Sequence, residues 1–507
     1  MTTVPATILP EPDLIFGQGK KDIDPRIGMT RNGPFHGENE KGPTPTTVRI
    51  GIIGTGPTLT LAKEVLTTLA RPIASKNTNA WLSPDYPGVN MSTKIRCDFV
   101  PGEQWKASIT DSDIRALEKI KDVNQRIAAC ANMYVAKISQ ILSEDSVPDV
   151  IICMLPEYVE EYCGRSKQTR GASIPKPTKL ERARQVNRTL TELLQLEDVE
   201  QEEKDYDLRN AIKGKAMSLK DAKPIQLLRE SSARAFVRLA KGEIEKTNES
   251  IQQPAEFAWN LATALYYKAN GRPWRVAKLT AGTCYVGIAF FKNKRSATGE
   301  LQFSMAQVFT HNLEGFVVKG TEVTIDERTR EPFMSEKQAH DLLAHAIQKY
   351  SERAGGPPHR VVVHKTSRFS DNEKRGVLRA IGKTPSDLVS FRRAPIRFLR
   401  MGNYPVLRGT VLSMSTREHL LYTSGYIPRL RTYPGARVPE PLLLTHDGDA
   451  EFDHVCREIM GLTKLDWNST TFSTSTPITI GFAQRVGDVL SELGEGGRIQ
   501  DHYKFYM

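Results

Sequence analysis

The sequence predicts an α/β protein in two parts, a Rossmann-like part followed by a second part that is also built around a β-sheet. Residues 48–59 form an apolar run that leads into a glycine-rich turn and a helical pattern, as in a first βα unit. Residues 149–158 are a second apolar run, with a loop at the strand end where ligands gather in open α/β sheets. In the second part, residues 275–291 and 360–369 are β-rich apolar runs that predict buried strands.

Length and composition indicate an ordinary globular protein. The 507 residues give room for two to four domains, and 39% hydrophobic with 25% charged residues is a typical balance. No segment approaches the roughly 18 uninterrupted apolar residues of a membrane span. Residues 1–13 contain three prolines and no basic stretch, so they are not expected to be a signal peptide. Six cysteines without CxxC spacing argue against a zinc site or disulfides and predict a reducing cytoplasm.

The charge balance and one arginine-rich stretch point to a polyanionic partner. The net charge is +11 and the isoelectric point is about 9.2. Residues 391–437 contain no lysine and one acid, Glu418, while aromatic residues alternate with arginines. Planar cations and aromatic platforms together predict a nucleic-acid channel, with a solvated basic face as the alternative. The arginines of this stretch are Arg392, Arg393, Arg397, Arg400, Arg408, Arg417, Arg429, Arg431 and Arg437.

The strands of the second part resemble a particular nuclease fold. Residues 275–291 are similar to the first strand of an RNase-H-like domain, where a Gly-Ile pair normally precedes an aspartate that binds a catalytic metal. Here the residue after Gly287-Ile288 is Ala289, and a methyl group cannot bind Mg²⁺, which requires oxygen ligands. Residues 360–369 resemble the PIWI-domain strand that ends in His-Arg-Asp-Gly, but Thr366 stands where that aspartate is expected.

A third departure is found near the C-terminus. Residues 467–483 resemble the segment that holds the last metal ligand of the PIWI domain, often a histidine, and Phe482 best matches that position. The resemblance therefore implies an RNase-H-like PIWI domain without nuclease activity. Glu314 and Glu322 lie where a further acidic residue could contribute to a metal site, but either would be a single carboxylate without the others. An active guide-directed endonuclease remains the alternative, and the missing aspartates argue against it.

The first part resembles a MID domain, which binds the 5′-phosphate of a guide strand. In that family the pocket uses an aromatic or basic residue, then a lysine, a glutamine and a later lysine. Matched in order, these are Arg209, Lys213, Gln226 and Lys268. Arg209 and Lys213 are four residues apart on a predicted helix and share one face, and both offer charge-assisted donors to a phosphate. Many relatives have tyrosine at the position of Arg209.

Over nearly its whole length the chain resembles a short prokaryotic Argonaute. The opening motifs that begin at Leu14, Asp24 and Gly33 agree with that family in order and spacing. The implied organisation is an N-terminal segment at residues 1–47, a MID domain at 48–272 and a nuclease-dead PIWI domain at 273–507.

The resemblance also implies partners and a cofactor. A short RNA guide would direct recognition of complementary single-stranded DNA from plasmids or phages. A partner with an APAZ region and a sirtuin-like, TIR or nuclease effector would then be activated, with a higher oligomer as one form of the active state. In this family the terminal carboxylate, here of Met507, often shares a divalent cation with the guide phosphate, so Mg²⁺ is the expected cofactor.

A nucleotide-dependent enzyme is a further alternative. Gly54-Thr-Gly56 imitates the start of a dinucleotide-binding fingerprint after a strand. However, the third glycine is replaced by Leu59, and no acidic residue lies about 20 residues further on to bind a ribose hydroxyl. The sequence therefore favours a plain Rossmann-like βα unit.

Overall fold

The computed structural model describes residues 6–35, 44–163, 207–244, 252–292, 301–309, 315–325, 332–394, 396–402, 405–435, 438–493 and 498–507, with side chains for only part of 301–325. The helices are α1 (Pro25–Asn32), α2 (Gly56–Leu69), α3 (Asp111–Glu118), α4 (Val123–Leu142), α5 (Glu157–Cys163), α6 (Leu208–Met217), α7 (Glu230–Ala240), α8 (Pro254–Lys268), α9 (Glu336–Ala354), α10 (Asp371–Ile381), α11 (Phe452–Leu462) and α12 (Ile478–Leu490).

The strands are β1 (Thr7–Ile8), β2 (Leu14–Ile15), β3 (Lys21–Asp22), β4 (Thr47–Gly54), β5 (Asp98–Ser108), β6 (Val150–Leu155), β7 (Ile225–Arg229), β8 (Arg275–Val276), β9 (Thr283–Lys292), β10 (Leu301–Phe309), β11 (Gly315–Glu322), β12 (Thr324–Ile325), β13 (Pro332–Phe333), β14 (Arg360–Lys365), β15 (Ser386–Arg393), β16 (Thr410–Ser413), β17 (Glu418–Leu421) and β18 (Leu442–Gly448).

The first part is a parallel sheet between two layers of helices. Its strand order is β5-β4-β6-β7, and each neighbouring pair is parallel. Strand β6 is buried along its whole length, as expected for a central parallel strand with both faces covered. Helices α2, α7 and α8 pack on one face, and α4 and α6 pack on the other. The Rossmann-like prediction for this part is confirmed.

The second part is built on a sheet of nine strands in the order β1-β16-β17-β18-β15-β14-β9-β10-β11. Strand β9 pairs antiparallel with β10 and parallel with β14, which is the RNase-H-like arrangement. Helices α9 and α10 cover one face of β9 and β14, while α12 covers the other. A Cβ on Gly287 would lie 2.1 Å from the carbonyl oxygen of Thr479, so the glycine lets α12 lie directly on β9.

The N-terminal segment joins both parts instead of standing apart. Strand β1 pairs with β16 at the edge of the large sheet, and β2 lies between β3 and β8 in a small sheet. Asp24 accepts hydrogen bonds from the first backbone amides of α1, which satisfies the helix N-terminus. Buried Arg26 then donates to the Thr470 hydroxyl in the second part and pairs with Glu256 of α8. None of the helices within the described ranges combines the length and apolar character that a membrane crossing demands.

Candidate nucleic-acid interface

The predicted phosphate-binding residues lie where the two parts meet. Helix α6 packs against α12, and a Cβ on Gly214 would be 3.4 Å from the Val489 carbonyl oxygen. Asp207 accepts a hydrogen bond from the Arg209 backbone amide at 2.9 Å and so starts α6 at this point. This packing brings Lys213 of α6 near Arg485 of α12, and the charges of Arg209 and Arg485 both act on Lys213.

Lys213 lies in a strongly positive environment. Burial, together with the charges of Arg209 and Arg485, lowers the pKa of its ammonium group to about 8 against the opposing effect of Asp207 and Asp488. The residue as a whole is half-buried. Positive charges this close together repel one another, and a bound anion would reduce the repulsion.

Lys268 ends α8 beside the same cluster and is 1% exposed. Its ammonium donates to the Gln226 side-chain oxygen at 2.6 Å and to the Ile225 carbonyl oxygen at 2.9 Å. Burial, followed by the charge of Lys213, holds the pKa of Lys268 well below the ordinary lysine value. The structure thus brings together all four residues that the sequence predicts. The Lys268 ammonium is hydrogen-bonded to neutral oxygens.

Arg485 belongs to this cluster but was not found from the sequence. Its guanidinium binds both carboxylate oxygens of Asp466, at 3.0 and 2.5 Å, and donates to the Tyr503 hydroxyl at 2.7 Å. The only available signal was an arginine within the largely apolar sequence of α12, since such a position must face a polar partner or a ligand. The role of Arg485 depends on the packing of α6 against α12, which no local pattern reveals.

Met507 lies at the same boundary and is 4% exposed, in the hydrophobic cluster that contains Phe482, Leu490 and Tyr506. Within the described ranges, no group of three His, Cys, Asp or Glu side chains could hold a metal ion. The cluster at this boundary contains four cations, Arg209, Lys213, Lys268 and Arg485, and cations do not favour a divalent ion held by side chains alone.

The positions that correspond to nuclease ligands are also brought together. The β9–β14 ladder ends with Lys365 opposite Ile288, so Thr366 follows directly and comes beside Ala289. Ala289 is 3% exposed and Thr366 is half-buried. Neither side chain provides the carboxylate oxygen that two-metal hydrolysis requires.

The third position, Phe482, faces the same side of the sheet from α12. Its ring is 3% exposed and stacks on Tyr503, with centroids 3.2 Å apart. Nearby, His364 Nδ1 lies 2.7 Å from the Thr479 hydroxyl, and burial lowers the pKa of this imidazole to about 3. Ala289, Thr366, Phe482 and His364 are therefore neutral, while the charges of Arg360 and Asp387 act on His364 from nearby. Glu314 and the side chain of Glu322 lie outside the described residues.

The arginine-rich stretch does not form one continuous channel. Arg408 is 3% exposed and pairs with Glu11 at 2.8 Å, while its guanidinium also donates to the Thr463 hydroxyl. It fixes the N-terminal segment to the loop after α11, so its interpretation as a channel residue is wrong. A local arginine count cannot distinguish a buried cation from an exposed one, because the acid that pairs with it is almost 400 residues away in sequence. Arg437 and Tyr404 lie outside the described residues.

Two of the arginines meet the first part of the chain. The guanidinium groups of Arg429 and Arg431 lie 4.6 and 5.8 Å from the ring centre of Trp81. A cavity of about 440 Å³ opens beside them, lined by Leu430, by Tyr433 and by hydroxyl side chains of residues 470–475. Among the described residues, the buried Nε of Arg429 has no hydrogen-bond partner. The cavity therefore lies between the two parts, with two arginines at its side.

The remaining predicted channel arginines lie towards the outer end of the large sheet. Arg392 pairs with Glu418 at 3.5 Å, and Arg397 pairs with Glu440. Arg400 lies over the ring of Tyr426, and Arg393 is exposed. The stretch therefore divides into a group at the boundary of the two parts and a group on an outer loop.

The arrangement of both sheets agrees with solved structures of one class of protein. *Clostridium butyricum* Argonaute bound to a guide DNA and a 19-mer target DNA matches 98% of the chain with a TM-score of 0.61 and 16% identity. Drosophila Piwi matches 99% with a TM-score of 0.57 and 13% identity. Aa-Ago with externally bound siRNA matches 99% with a TM-score of 0.54 and 14% identity. The fold is that of Argonaute and Piwi proteins.

The predicted succession of a MID domain and an RNase-H-like PIWI domain is thereby confirmed as the fold of this chain. The chain spans about half the length of these structures, since it covers 54%, 56% and 56% of them. No family model matches the sequence, and no curated protein is detectably similar to it. Comparison of the structures therefore detects the shared fold, although the sequences are only 13–16% identical.

Proposed function

We propose that the chain anchors the 5′-phosphate of a short guide strand at the MID–PIWI boundary and uses the guide to recognise complementary nucleic acid. The observation that carries this proposal is the convergence of Arg209, Lys213, Lys268 and Arg485 on one place. The two lysines have lowered pKa values because burial and neighbouring positive charges disfavour their charged forms. A phosphate monoester supplies up to two negative charges and restores both ammonium groups.

The guide is proposed to be RNA and the target single-stranded DNA, following the resemblance to short Argonautes. The similar *C. butyricum* protein was solved with a guide DNA and a target DNA. Base pairing would read the sequence, while the protein contacts the backbone, as in other guide-directed systems. Sequencing the nucleic acids that copurify with the chain tests the choice, since short RNAs with 5′-phosphates are expected and DNA guides would contradict it.

The anchor is tested by comparing 5′-phosphorylated with 5′-hydroxyl guides of one sequence. Each charge-assisted hydrogen bond contributes about 1.5–3 kcal/mol, so Lys213→Ala/Lys268→Met should weaken binding of the phosphorylated guide at least about a hundredfold. Lys215→Ala on the same helix is the matched control, because Lys215 contacts Asn132 instead. If wild type cannot distinguish the guides, or the double variant still does, these residues are not the anchor.

We further propose that the chain does not cleave its target. The support is the neutral set Ala289, Thr366 and Phe482 at the expected ligand positions. A guided cleavage assay with Mg²⁺ and then Mn²⁺ should give no specific product from the purified chain. A guide-dependent cut at a fixed distance from the guide 5′ end would instead establish the alternative, an active endonuclease.

We also propose that, where Mg²⁺ is bound, the Met507 carboxylate would help to hold it at the guide phosphate. The contribution of the ion when bound is to neutralise negative charge at the guide end, while Arg209 and Lys213 orient the phosphate. Because the described side chains supply no metal site of their own, chelation should weaken binding of 5′-phosphorylated guide only modestly, and binding of 5′-hydroxyl guide not at all.

The enzymatic response to target recognition is proposed to come from a partner protein. By the same resemblance, an APAZ-containing protein with a sirtuin-like, TIR or nuclease effector would be activated by target binding in the cytoplasm, in defence against plasmids and phages. Isolation from the native host should yield a stoichiometric complex. A monomer that carries guide and target but has no protein partner would contradict this part of the proposal without affecting the guide anchor.

A further inference from the structure

Among the described residues, a helix covers the outer strands β16, β17 and β18 on one face only. On that face Val411, Leu421 and Leu444 pack in a cluster with residues of α11. On the opposite face Leu412 and Leu420 pack in a small cluster whose members all come from strands and loops. Elsewhere this side of the sheet is covered by α9 and α10. Among the described residues, the loop between β15 and β16 is therefore the outer layer here.

Part of this loop, residues 396–402, is held in place by its own side chains. Phe398 packs into the small cluster, and its backbone amide donates to the Tyr422 hydroxyl at 2.9 Å. The guanidinium of Arg400 lies 5.3 Å from the ring centre of Tyr426. A loop fixed in this way loses less conformational freedom when it binds a partner.

The outward residues of the same loop are large and apolar. Ile396 is 43% exposed, Leu399 is 64% exposed and Met401 is 77% exposed. Single exposed apolar residues are normal on protein surfaces, but three within six consecutive residues form a group. Burying the two most exposed side chains against a partner would remove a large apolar area from water, which favours binding.

The surroundings of the group decide what kind of partner it fits. Arg393 and Arg397 are exposed on either side of Ile396, and the acid that pairs with Arg397 is Glu440. Methionine and arginine are enriched at protein interfaces. Single-stranded nucleic acid binds instead through aromatic rings on which bases stack, and here the ring of Phe398 faces inward.

We propose that residues 396–402 form a docking loop for a second protein, whose complementary surface is an apolar groove rimmed by carboxylates. Leu399 and Met401 enter the groove, and Arg393 and Arg397 meet the acidic rim. This assigns the outer arginines of the basic stretch to protein recognition and leaves Arg429 and Arg431 for nucleic acid. The inference does not depend on guide binding, and it is the same whichever effector a partner carries.

The test places the photo-cross-linking amino acid p-benzoylphenylalanine at position 399 of the full chain in its native host. The matched control carries it at Leu378 of α10, which is 49% exposed but lies outside the loop. A discrete protein adduct from position 399, absent from position 378, is expected. Its cross-linked peptide should combine apolar residues with Asp or Glu.

The cross-linked protein is then purified and its affinity measured against variants. Leu399→Ser/Met401→Ser should weaken binding at least about thirtyfold, as expected for residues at the centre of an interface. Leu378→Ser should leave it unchanged, and both variants should retain guide binding, which separates this test from that of the guide anchor. An unchanged affinity, a nuclease-sensitive adduct, an adduct with a second copy of this chain, or no adduct would each overturn the proposal.

Discussion

Lys365 and Lys268 both hold an ammonium group away from solvent, but only Lys365 has a carboxylate partner. Lys365 ends β14 and binds both oxygens of Glu373, at 2.7 and 2.8 Å, within a ring of phenylalanines. Lys268 ends α8 and binds the neutral oxygens of Ile225 and Gln226. The first site is complete within the chain. The second, as far as the described residues show, has only neutral oxygens around its ammonium, so the proposed guide phosphate would supply the compensating charge.

The largest expected effect comes from breaking the complete site. Glu373→Gln leaves Lys365 buried without a carboxylate and should lower the free energy of unfolding by about 3–5 kcal/mol. Lys268→Met, in the absence of guide, should leave it unchanged or raise it, because it removes a charge that the fold does not compensate. Urea unfolding of both variants measures the contrast. Comparable losses in the two variants would show that Lys268 is already satisfied within the chain.

An intermediate effect is expected from pH. The pKa of Lys213 is about 8 in the free chain, and a bound phosphate raises it. Phosphate binding therefore adds a proton to Lys213 above pH 8, and the contribution of Lys213 to the affinity for a 5′-phosphorylated guide should be constant below pH 8 and fall by up to about tenfold per unit above it. The guide-free chain should change in the opposite direction, becoming more stable as pH rises towards 10.5, the ordinary lysine value.

Fluorescence anisotropy between pH 7 and 9.5 measures this dependence, with a 5′-hydroxyl guide as the reference for general charge effects. Lys213→Arg is the matched variant, since an arginine stays charged throughout this range. It should bind the phosphorylated guide with a flatter pH profile. Equal profiles for the two guides would place the titrating group away from the phosphate.

The smallest effect concerns the two groups of arginines. Arg431→Ala, beside Trp81, should reduce the slope of log affinity against log salt by about one, because one phosphate contact is lost. Arg397→Ala, in the docking loop, should leave that slope unchanged. Titration of guide binding at several salt concentrations measures both slopes. A smaller slope in both variants would show that both groups of arginines contact nucleic acid, which contradicts the division into two surfaces.

The members of the cationic cluster at the boundary of the two parts could be predicted from the sequence with one exception, while its binding of a phosphate stays a prediction. Arg209 and Lys213 share a helix face by their spacing, and the family order pointed to Gln226 and Lys268. Arg485 could not be predicted, because its position beside Lys213 depends on how α12 packs against α6. In the arginine-rich stretch the sequence predicted one residue too many. Arg408 was expected in the channel because its local sequence resembles that of its neighbours, but it is buried against Glu11.

The sequence by itself determined the α/β class, the strands and helices that carry the site, and the residue types at the nuclease positions. These follow from local properties, namely apolar periodicity, turn residues and the presence or absence of a carboxylate. The tertiary structure decided which charges are compensated. Lys268 and Lys365 are both lysines at the end of a helix or strand, and the sequence does not show which of them is charge-compensated. The fold places the Glu373 carboxylate, eight residues further on, against Lys365, and it places Lys213 of another helix beside Lys268. Electrostatic environment depends on distances in space, and in this chain those distances join residues far apart in sequence.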